Sequence, residues 1–172
     1  LNLLTIKPVL FIANVDEGST KNGNNYSKKL CDLGLSKGIS TIIMSAKLEA
    51  EISEITDIAE RKEFLNALDL EESGLEKLTK AGYNLLKLIT YFTAGPKEVR
   101  AWTIKKGTIA KDAAGKIHND FSRGFIAAET IAYNDYILLG GEQKARENGS
   151  IRTEGKEYIV IDGDIIVFRF NV

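Results

Sequence analysis

Three polar residues that could contact a ligand follow an apolar run near the start of the chain. The run extends from Val9 to Ala13, and Asn14, Asp16 and Glu17 come just after it. A continuous run of this length suits a strand that is buried on both faces of a parallel sheet. In such sheets ligands bind beyond the carboxyl ends of the strands. The polar residues therefore belong either to a binding site or to an ordinary turn after a buried strand.

A second run of the same kind extends from Ser40 to Met44 and is followed by Ser45-Ala46-Lys47. Between the two runs, Asn24 or Asn25 can cap a short helix, which Gly34 is expected to close. Strand, helix and strand with short connections form a βαβ unit, whose crossover should be right-handed.

Two further helices are predicted before residue 88. The spacing of apolar residues from Ile52 to Ala59 predicts one amphipathic helix that packs on the sheet. Ser73-Gly74-Leu75-Glu76 has the pattern of a capping box and begins a helix that stops near Leu88. Two strands are few for an α/β layer, so we expect the missing strands to precede Leu1.

The composition excludes several classes of protein. The chain has 172 residues, of which 44% are hydrophobic, and a formal net charge of −1. This is typical of a soluble globular protein and argues against a strongly basic nucleic-acid binder. The single Cys31 excludes an internal disulfide and favours a cytoplasmic location. One cysteine and one histidine cannot form the usual zinc site, and no apolar run has the ~20 residues of a membrane span.

The second half of the chain predicts a sheet wrapped around a short helix. A helix from Ala110 to Ile117 would carry its apolar residues on one face. Gly95-Pro96 predicts a turn between two strands, and Asp162-Gly163 predicts a hairpin between two others. The predicted strands are Thr90–Ala94, Val99–Ile104, Ala127–Tyr133, Glu157–Ile161 and Asp164–Phe170.

Asn14-Val15-Asp16-Glu17 and Ser45-Ala46-Lys47 stand where GTPases have Asn-Lys-x-Asp and Ser-Ala-Lys. With glutamate at position 17, and with Glu49 and Glu51 after Lys47, the pattern resembles the YchF branch of the Obg-like ATPases. Three later segments resemble the TGS domain of that family, a ubiquitin-like β-grasp module. They are Gly95–Thr103, Ala113–Phe121 and Asp162–Val172. The resemblance covers nearly all of the chain and follows the order of the family.

The resemblance implies a fold class and a division into domains. Residues 1–88 would be the C-terminal part of an Obg-type nucleotide-binding domain, and residues 89–172 a TGS domain. The fold class is then an α/β remnant of a P-loop NTPase domain, with a βαβ unit and additional helices. An α+β ubiquitin-like β-grasp domain follows it.

The resemblance also implies a site for the nucleotide base. Asn14 would brace the base pocket, and the backbone of Val15 would meet the adenine edge, where the identity of its side chain matters little. Ser45 and Ala46 would close the pocket through their backbone N–H groups, while the stem of Lys47 would pack on the base.

Glu17 stands where GTPases have an aspartate, whose carboxylate accepts hydrogen bonds from N1–H and N2–H₂ of guanine. One additional methylene displaces that carboxylate, and adenine has an acceptor at N1. The resemblance therefore implies a preference for ATP, or use of both ATP and GTP. Glu49 and Glu51 belong either to this site or to a solvated helix start, where acidic residues are favoured.

The chain contains no G-x-x-x-x-G-K-[ST] sequence. Without that loop, nothing cradles the phosphates or places a hydroxyl on Mg²⁺. We expect the loop, and the Mg²⁺ that accompanies ATP or GTP, to belong to a part of the intact protein that precedes Leu1. On this interpretation the chain has no catalytic residue and is inactive alone.

A loose basic run in the second half provides candidate contacts with RNA. Its residues are Lys144, Arg146, Arg152 and Lys156. The alternative is a solvated helix and turn. Contact with phosphates would make the affinity fall steeply as the salt concentration rises.

We therefore interpret the chain as the C-terminal portion of a ribosome-associated nucleotide hydrolase of the cytoplasm. It would bind and slowly hydrolyse ATP, or both ATP and GTP, as a molecular switch. The predicted partners are the nucleotide and the ribosome or its RNA, and no membrane. The alternative is a non-catalytic TGS module that binds RNA or the ribosome and is gated by a nucleotide.

Overall fold

The computed structural model describes residues 3–95 and 98–171. The chain divides into two compact units, Leu1–Leu86 and Lys87–Val172, and each is described by itself. Within the described residues, no helix is both long enough and apolar enough to cross a membrane.

In its described residues, the first unit is a pair of parallel strands with four α-helices. Its elements are β1 (Phe11–Asn14), α1 (Asn25–Lys37), β2 (Thr41–Met44), α2 (Ala46–Glu54), α3 (Ile58–Ala67) and α4 (Gly74–Leu86). In the register of the two strands, Phe11 lies opposite Thr41 and Asn14 lies opposite Met44. The predicted order of strand, helix and strand is confirmed.

The expectation that the first strand is buried on both faces is wrong. Within β1 only Ala13 is buried, and Ile12 is 46% exposed. Among the described residues β1 pairs with β2 alone. Its side chains therefore have a neighbouring strand on one side only, which leaves part of their apolar surface accessible.

The helix α1 begins as predicted but ends later than expected. The Asn24 side chain caps it by accepting the N–H groups of Tyr26 and Ser27, at 3.0 and 2.9 Å. Gly34 does not close the helix, which continues to Lys37 and ends at Gly38 with a φ of +64°. The role of Gly34 is close packing: a Cβ atom there would lie 2.4 Å from Thr41 Oγ1.

The single helix predicted from Ile52 to Ala59 is also wrong. The chain forms α2 and α3 with a break between Glu54 and Ile58. Asp57 Oδ1 accepts the N–H of Glu60 at 2.9 Å, so this side chain starts a new helix. Ile58, predicted to face the sheet, is 82% exposed.

The capping box at the start of α4 is confirmed. Ser73 Oγ accepts the N–H of Glu76 at 3.1 Å, and the Glu76 carboxylate accepts the N–H of Ser73 at 3.2 Å.

The second unit is a five-stranded mixed sheet with helices. Its elements are β3 (Leu88–Ala94), β4 (Val99–Lys105), α5 (Ala110–Ile117), α6 (Asn119–Arg123), β5 (Phe125–Ile131), α7 (Tyr133–Leu139), α8 (Glu142–Glu147), β6 (Arg152–Glu154) and β7 (Ile165–Phe170). The strand order is β4-β3-β7-β5-β6, in which β7 is parallel to β3 and antiparallel to β5.

The core of this unit lies between α5 and the sheet. Ala110, Ala113 and Ala114 of α5 are fully buried, as are Tyr91 and Ile166 on the strands. The two strands predicted before the helix, and the apolar face of the helix itself, are confirmed. Of the predicted Gly95-Pro96 turn, Pro96 lies outside the described residues.

The hairpin predicted at Asp162-Gly163 is wrong. Asp164 is buried, and its carboxylate accepts the Tyr158 hydroxyl at 2.8 Å and the Ile161 N–H at 2.9 Å. The segment from Glu157 to Ile161 therefore folds as a loop around this acid, and β7 pairs with β3 and β5 instead. A strand missed from the sequence, β6, takes the edge beside β5.

Candidate functional site

The predicted site residues of the first unit meet at the carboxyl ends of β1 and β2. Asn14 is the last residue of β1, and its side-chain Oδ1 accepts the N–H of Ala46 at 2.9 Å. Ala46 is the first residue of α2, so the side chain at the end of one strand holds the helix that follows the other strand.

Ser45 connects β2 to α2 and is 1% exposed. Its Oγ accepts the N–H of Leu48 at 3.4 Å, and its carbonyl accepts the N–H of Glu49 at 3.0 Å. Serine is a favoured residue at this position because its hydroxyl satisfies an N–H that has no partner within the helix. Ser45 therefore sets the position at which α2 begins.

Glu17 and Lys47 form an ion pair at the same edge. Glu17 begins a 3₁₀ turn after β1, and its Oε1 lies 2.5 Å from Lys47 Nζ. The hydrogen bond and charge of Glu17, followed by the charge of Glu51, raise the pKa of Lys47. Both side chains are solvent-exposed, so the pair adds little stability. Its consequence is local: a carboxylate and an ammonium group stand side by side above the strand ends.

Val15 is buried, with 9% of its surface exposed. Its N–H donates to the carbonyl of Met44 at 2.9 Å, which extends the pairing of the two strands by one residue. The Val15 side chain therefore contributes to packing, independently of the contacts that its backbone makes.

This arrangement brings an amide, a carboxylate, an ammonium group and the start of a helix to one edge of the strand pair. Across residues 3–95 and 98–171, no group of three or more His, Cys, Asp or Glu side chains could hold a metal ion.

The basic run of the second unit is not a set of free cations. Arg146 contacts Glu129 at 2.9 Å and Glu142 at 3.0 Å. Arg152 lies 3.5 Å from the buried Asp164 and 3.8 Å from Glu154. The two arginines are therefore compensated by acids of their own unit. The two lysines of the run, Lys144 and Lys156, are exposed.

One residue that shapes the site was only weakly indicated by the sequence. Glu49 is 5% exposed, so the solvated alternative for it is wrong, whereas Glu51 is exposed. The Glu49 carboxylate accepts the N–H groups of Gly74 and Leu75 in α4. The available signal was the Ser73–Glu76 capping box, which satisfies only two of the four N–H groups at the start of that helix.

Comparisons with known proteins find relatives that match the whole chain. A family model named YchF-GTPase_C, described as "Protein of unknown function (DUF933)", matches residues 88–171. The ribosome-binding ATPase YchF of Bacillus subtilis strain 168 is 52% identical over 174 residues, covering 100% of this chain and 47% of the relative. The protein of the same name from Escherichia coli O157:H7 is 51% identical over 172 residues, with the same coverage. The chain thus spans about half the length of the curated relatives it matches.

Comparison with solved structures also finds proteins that are similar to this chain. The Schizosaccharomyces pombe YchF GTPase superimposes with a TM-score of 0.84 at 38% identity, over 97% of this chain and 44% of that chain. A GTP-binding protein from Pyrococcus horikoshii OT3 gives a TM-score of 0.65 at 20% identity, which indicates the fold alone. The fold defines a mixed α/β protein of the type seen in the YchF GTPase structure. The identity along its whole length shows that the chain belongs to the YchF family, which confirms the resemblance found from the sequence.

Proposed function

We propose that this chain is part of a ribosome-binding nucleotide hydrolase that binds ATP, or both ATP and GTP, and hydrolyses it slowly as a molecular switch. The observation that carries the proposal is the meeting of two strand ends, where Asn14 accepts the N–H of Ala46. The curated relatives are named ribosome-binding ATPases and a solved relative is named a GTPase. Because the chain spans 47% of the curated relatives, the proposal concerns the intact protein, meaning one of their length.

In the proposed site the base lies against the edge formed by the two strand ends. Asn14 braces the pocket, Ser45 and Ala46 form one wall of it, and the stem of Lys47 flanks the base. Val15 contributes through its backbone carbonyl, because its N–H already donates to Met44.

Glu17 sets the preference between bases in this proposal. A carboxylate pairs with the donor edge of guanine only from the correct distance, and the longer glutamate side chain is displaced from that position. In this structure the Glu17 carboxylate is also engaged by Lys47. ATP, or both nucleotides, is therefore the proposed ligand.

The intact protein would bind the nucleotide with Mg²⁺, but no residue of this chain is assigned to the ion. The sequence has no phosphate loop, and the described residues offer no metal-binding cluster. The chain alone is accordingly proposed to be inactive, with its catalytic groups supplied by the remainder of the intact protein.

The second unit is proposed to be a TGS domain that contacts the ribosome or its RNA in the cytoplasm. Lys144 and Lys156 remain candidate contacts with phosphates, since both are exposed. Arg146 and Arg152 would first have to exchange their acidic partners for phosphates. If the basic residues contact RNA, the affinity should fall steeply with salt.

The proposal is tested on the intact protein with ATP, GTP and purified ribosomes. We expect ATP binding in the presence of Mg²⁺ and slow turnover that ribosomes accelerate. Binding without turnover, with or without ribosomes, would favour the alternative of a non-catalytic module gated by a nucleotide. Absence of nucleotide binding would overturn both versions.

The site itself is tested by Asn14→Ala, with Asn24→Ala as the matched control. Each change removes an asparagine side chain that accepts backbone N–H groups in the first unit. Only Asn14 lies in the proposed base site. We expect Asn14→Ala to weaken ATP binding by about tenfold, because α2 loses the hydrogen bond that holds it at the end of β1 and restoring that position on binding would cost about 1.4 kcal/mol. Asn24→Ala should lower the free energy of unfolding and leave ATP binding unchanged; equal losses of affinity would contradict this site.

A further inference from the structure

Glu49 is an acidic side chain in the first turn of α2, and it is almost completely buried, with 5% of its surface exposed. Burying a carboxylate is costly unless hydrogen bonds replace the lost water. Both oxygens have such partners: Oε1 accepts the N–H of Gly74 at 2.7 Å, and Oε2 accepts the N–H of Leu75 at 3.0 Å. The carboxylate therefore ties α2 to the start of α4, across 25 residues of sequence.

The hydrogen bonds of Glu49 satisfy N–H groups at the start of α4 that its own residues do not. A helix begins with N–H groups that have no partner within the helix. The Ser73–Glu76 capping box satisfies the N–H groups of Ser73 and Glu76. The two N–H groups between them belong to Gly74 and Leu75, and these are the groups that Glu49 accepts. Glu49 therefore satisfies the two N–H groups that the capping box of α4 does not satisfy.

The contact is also close in space. Gly74 is buried, and a Cβ atom at this position would lie 2.7 Å from Met44 Cβ and 2.8 Å from Glu49 Oε1. Both separations are too short for real atoms. The start of α4 thus lies directly against the end of β2, where the Ser45-Ala46-Lys47 segment begins.

Glu49 shares its helical turn with the residues of the proposed base site. Its N–H donates to the carbonyl of Ser45 at 3.0 Å, and Ala46 of the same turn donates to Asn14 at 2.9 Å. We infer that Glu49 is a positioning residue for nucleotide binding. By anchoring the first turn of α2 on α4, it holds Ser45-Ala46-Lys47 against the end of β1. This inference rests on the proposed function for the nature of the ligand.

The test is Glu49→Gln in the intact protein. Glutamine has the same shape but one acceptor oxygen, and its amide hydrogens oppose an N–H of α4. We expect the backbone amides of residues 45–47 to exchange their hydrogens faster in the nucleotide-free protein. We also expect the KM for ATP to rise by about tenfold with kcat unchanged, because the lost positioning weakens ground-state and transition-state binding alike.

Glu76→Ala is the matched control, because it removes the acceptor of the Ser73 N–H and so weakens the start of the same helix without touching α2. It should speed amide exchange at residues 73–76 and leave both the exchange of residues 45–47 and the KM for ATP unchanged. Equal effects of the two variants on KM would reduce Glu49 to a contributor to general stability and overturn the inference. Wild-type exchange at residues 45–47 in Glu49→Gln would overturn it as well.

The two proposals fail in distinguishable ways. If the intact wild-type protein binds no nucleotide, the proposed function is wrong and the inference loses its ligand, whatever the exchange data show. If it binds ATP and Glu49→Gln binds it equally well, only the inference is wrong.

Discussion

At the scale of single residues, two tyrosines of the second unit have pKa values above that of a free tyrosine. Burial, followed by the hydrogen bond that its hydroxyl donates to Asp164 at 2.8 Å, raises the pKa of Tyr158 to about 12. Burial also raises the pKa of Tyr91, whose hydroxyl donates to the carbonyl of Ala113 at 2.9 Å. Both groups favour the folded state only while they are protonated.

The sign of the resulting pH dependence follows from these raised pKa values. An unfolded chain releases tyrosine protons near pH 10, whereas folded Tyr158 keeps its proton to about pH 12. Its contribution to stability is complete below about pH 10 and is lost as the pH rises towards 12. Tyr158→Phe should lower the free energy of unfolding at pH 8, because Asp164 loses a donor. Between pH 10 and 12 the free energy of unfolding of this variant should fall less steeply with pH than that of the wild type.

Urea denaturation of the second unit over this pH range measures the effect. Tyr26→Phe is the control, since Tyr26 is 82% exposed and lies in the first unit. In this control the free energy of unfolding should fall between pH 10 and 12 as steeply as in the wild type. If Tyr158→Phe gives the same slope as Tyr26→Phe, the assigned contribution of Tyr158 is wrong.

At the scale of elements, two mid-helix glycines have opposite reasons to be there. Gly34 in α1 lies against the start of β2: a Cβ atom would come 2.4 Å from Thr41 Oγ1 and 2.6 Å from the carbonyl of Ile39. Gly82 in α4 has no atom within 4 Å of such a Cβ. The first glycine permits a close approach of helix and strand, while the second only adds backbone freedom.

Alanine substitutions should therefore change the stability of the first unit in opposite directions. Gly82→Ala should raise the free energy of unfolding by about 0.5–1 kcal/mol, because alanine is the better helix former. Gly34→Ala should lower it by about 1–3 kcal/mol, because the added methyl group meets backbone that cannot move freely. Urea denaturation of both variants provides the measurement. A stabilising Gly34→Ala would show that α1 is not packed against Thr41 as described.

At the scale of the whole molecule, each unit has a core of its own. The first unit buries Leu48, Ile52, Leu65 and Leu70 together, and the second buries a larger cluster that includes Tyr91 and Ile166. Separate cores are the condition under which two parts of one chain can unfold separately.

We therefore expect denaturation of the chain to show two transitions that respond to different substitutions. Leu48 is 2% exposed and Ile166 is fully buried, so truncating either to alanine should cost about 2–5 kcal/mol in its own unit. Leu48→Ala should move one transition and Ile166→Ala the other, with additive effects in the double variant. Equal shifts of a single transition by both substitutions would contradict separate unfolding.

Much of the local structure could be predicted from the sequence, because helix starts and strands depend on near neighbours. Asn24 and Ser73 cap the helices that their positions predict, and the apolar runs before Asn14 and Ser45 form the expected parallel strands. Helix ends were less predictable. Gly34 and Gly38 are both plausible terminators from their neighbours alone, and only the packing against Thr41 distinguishes the buried glycine from the one that closes the helix.

The sequence by itself determined the family, the meeting of Asn14 with the segment after β2, and the elements that carry them. Apart from that contact, which the motifs of the family imply, the tertiary structure decided which distant groups became partners. It placed Glu49 on the start of α4, gave Arg146 and Arg152 acidic partners within their own unit, and paired β7 with β3 and β5. Caps and periodicity involve residues about four positions apart or fewer. Partners that are brought together across tens of residues are chosen by the packing of the whole unit, which no local pattern records.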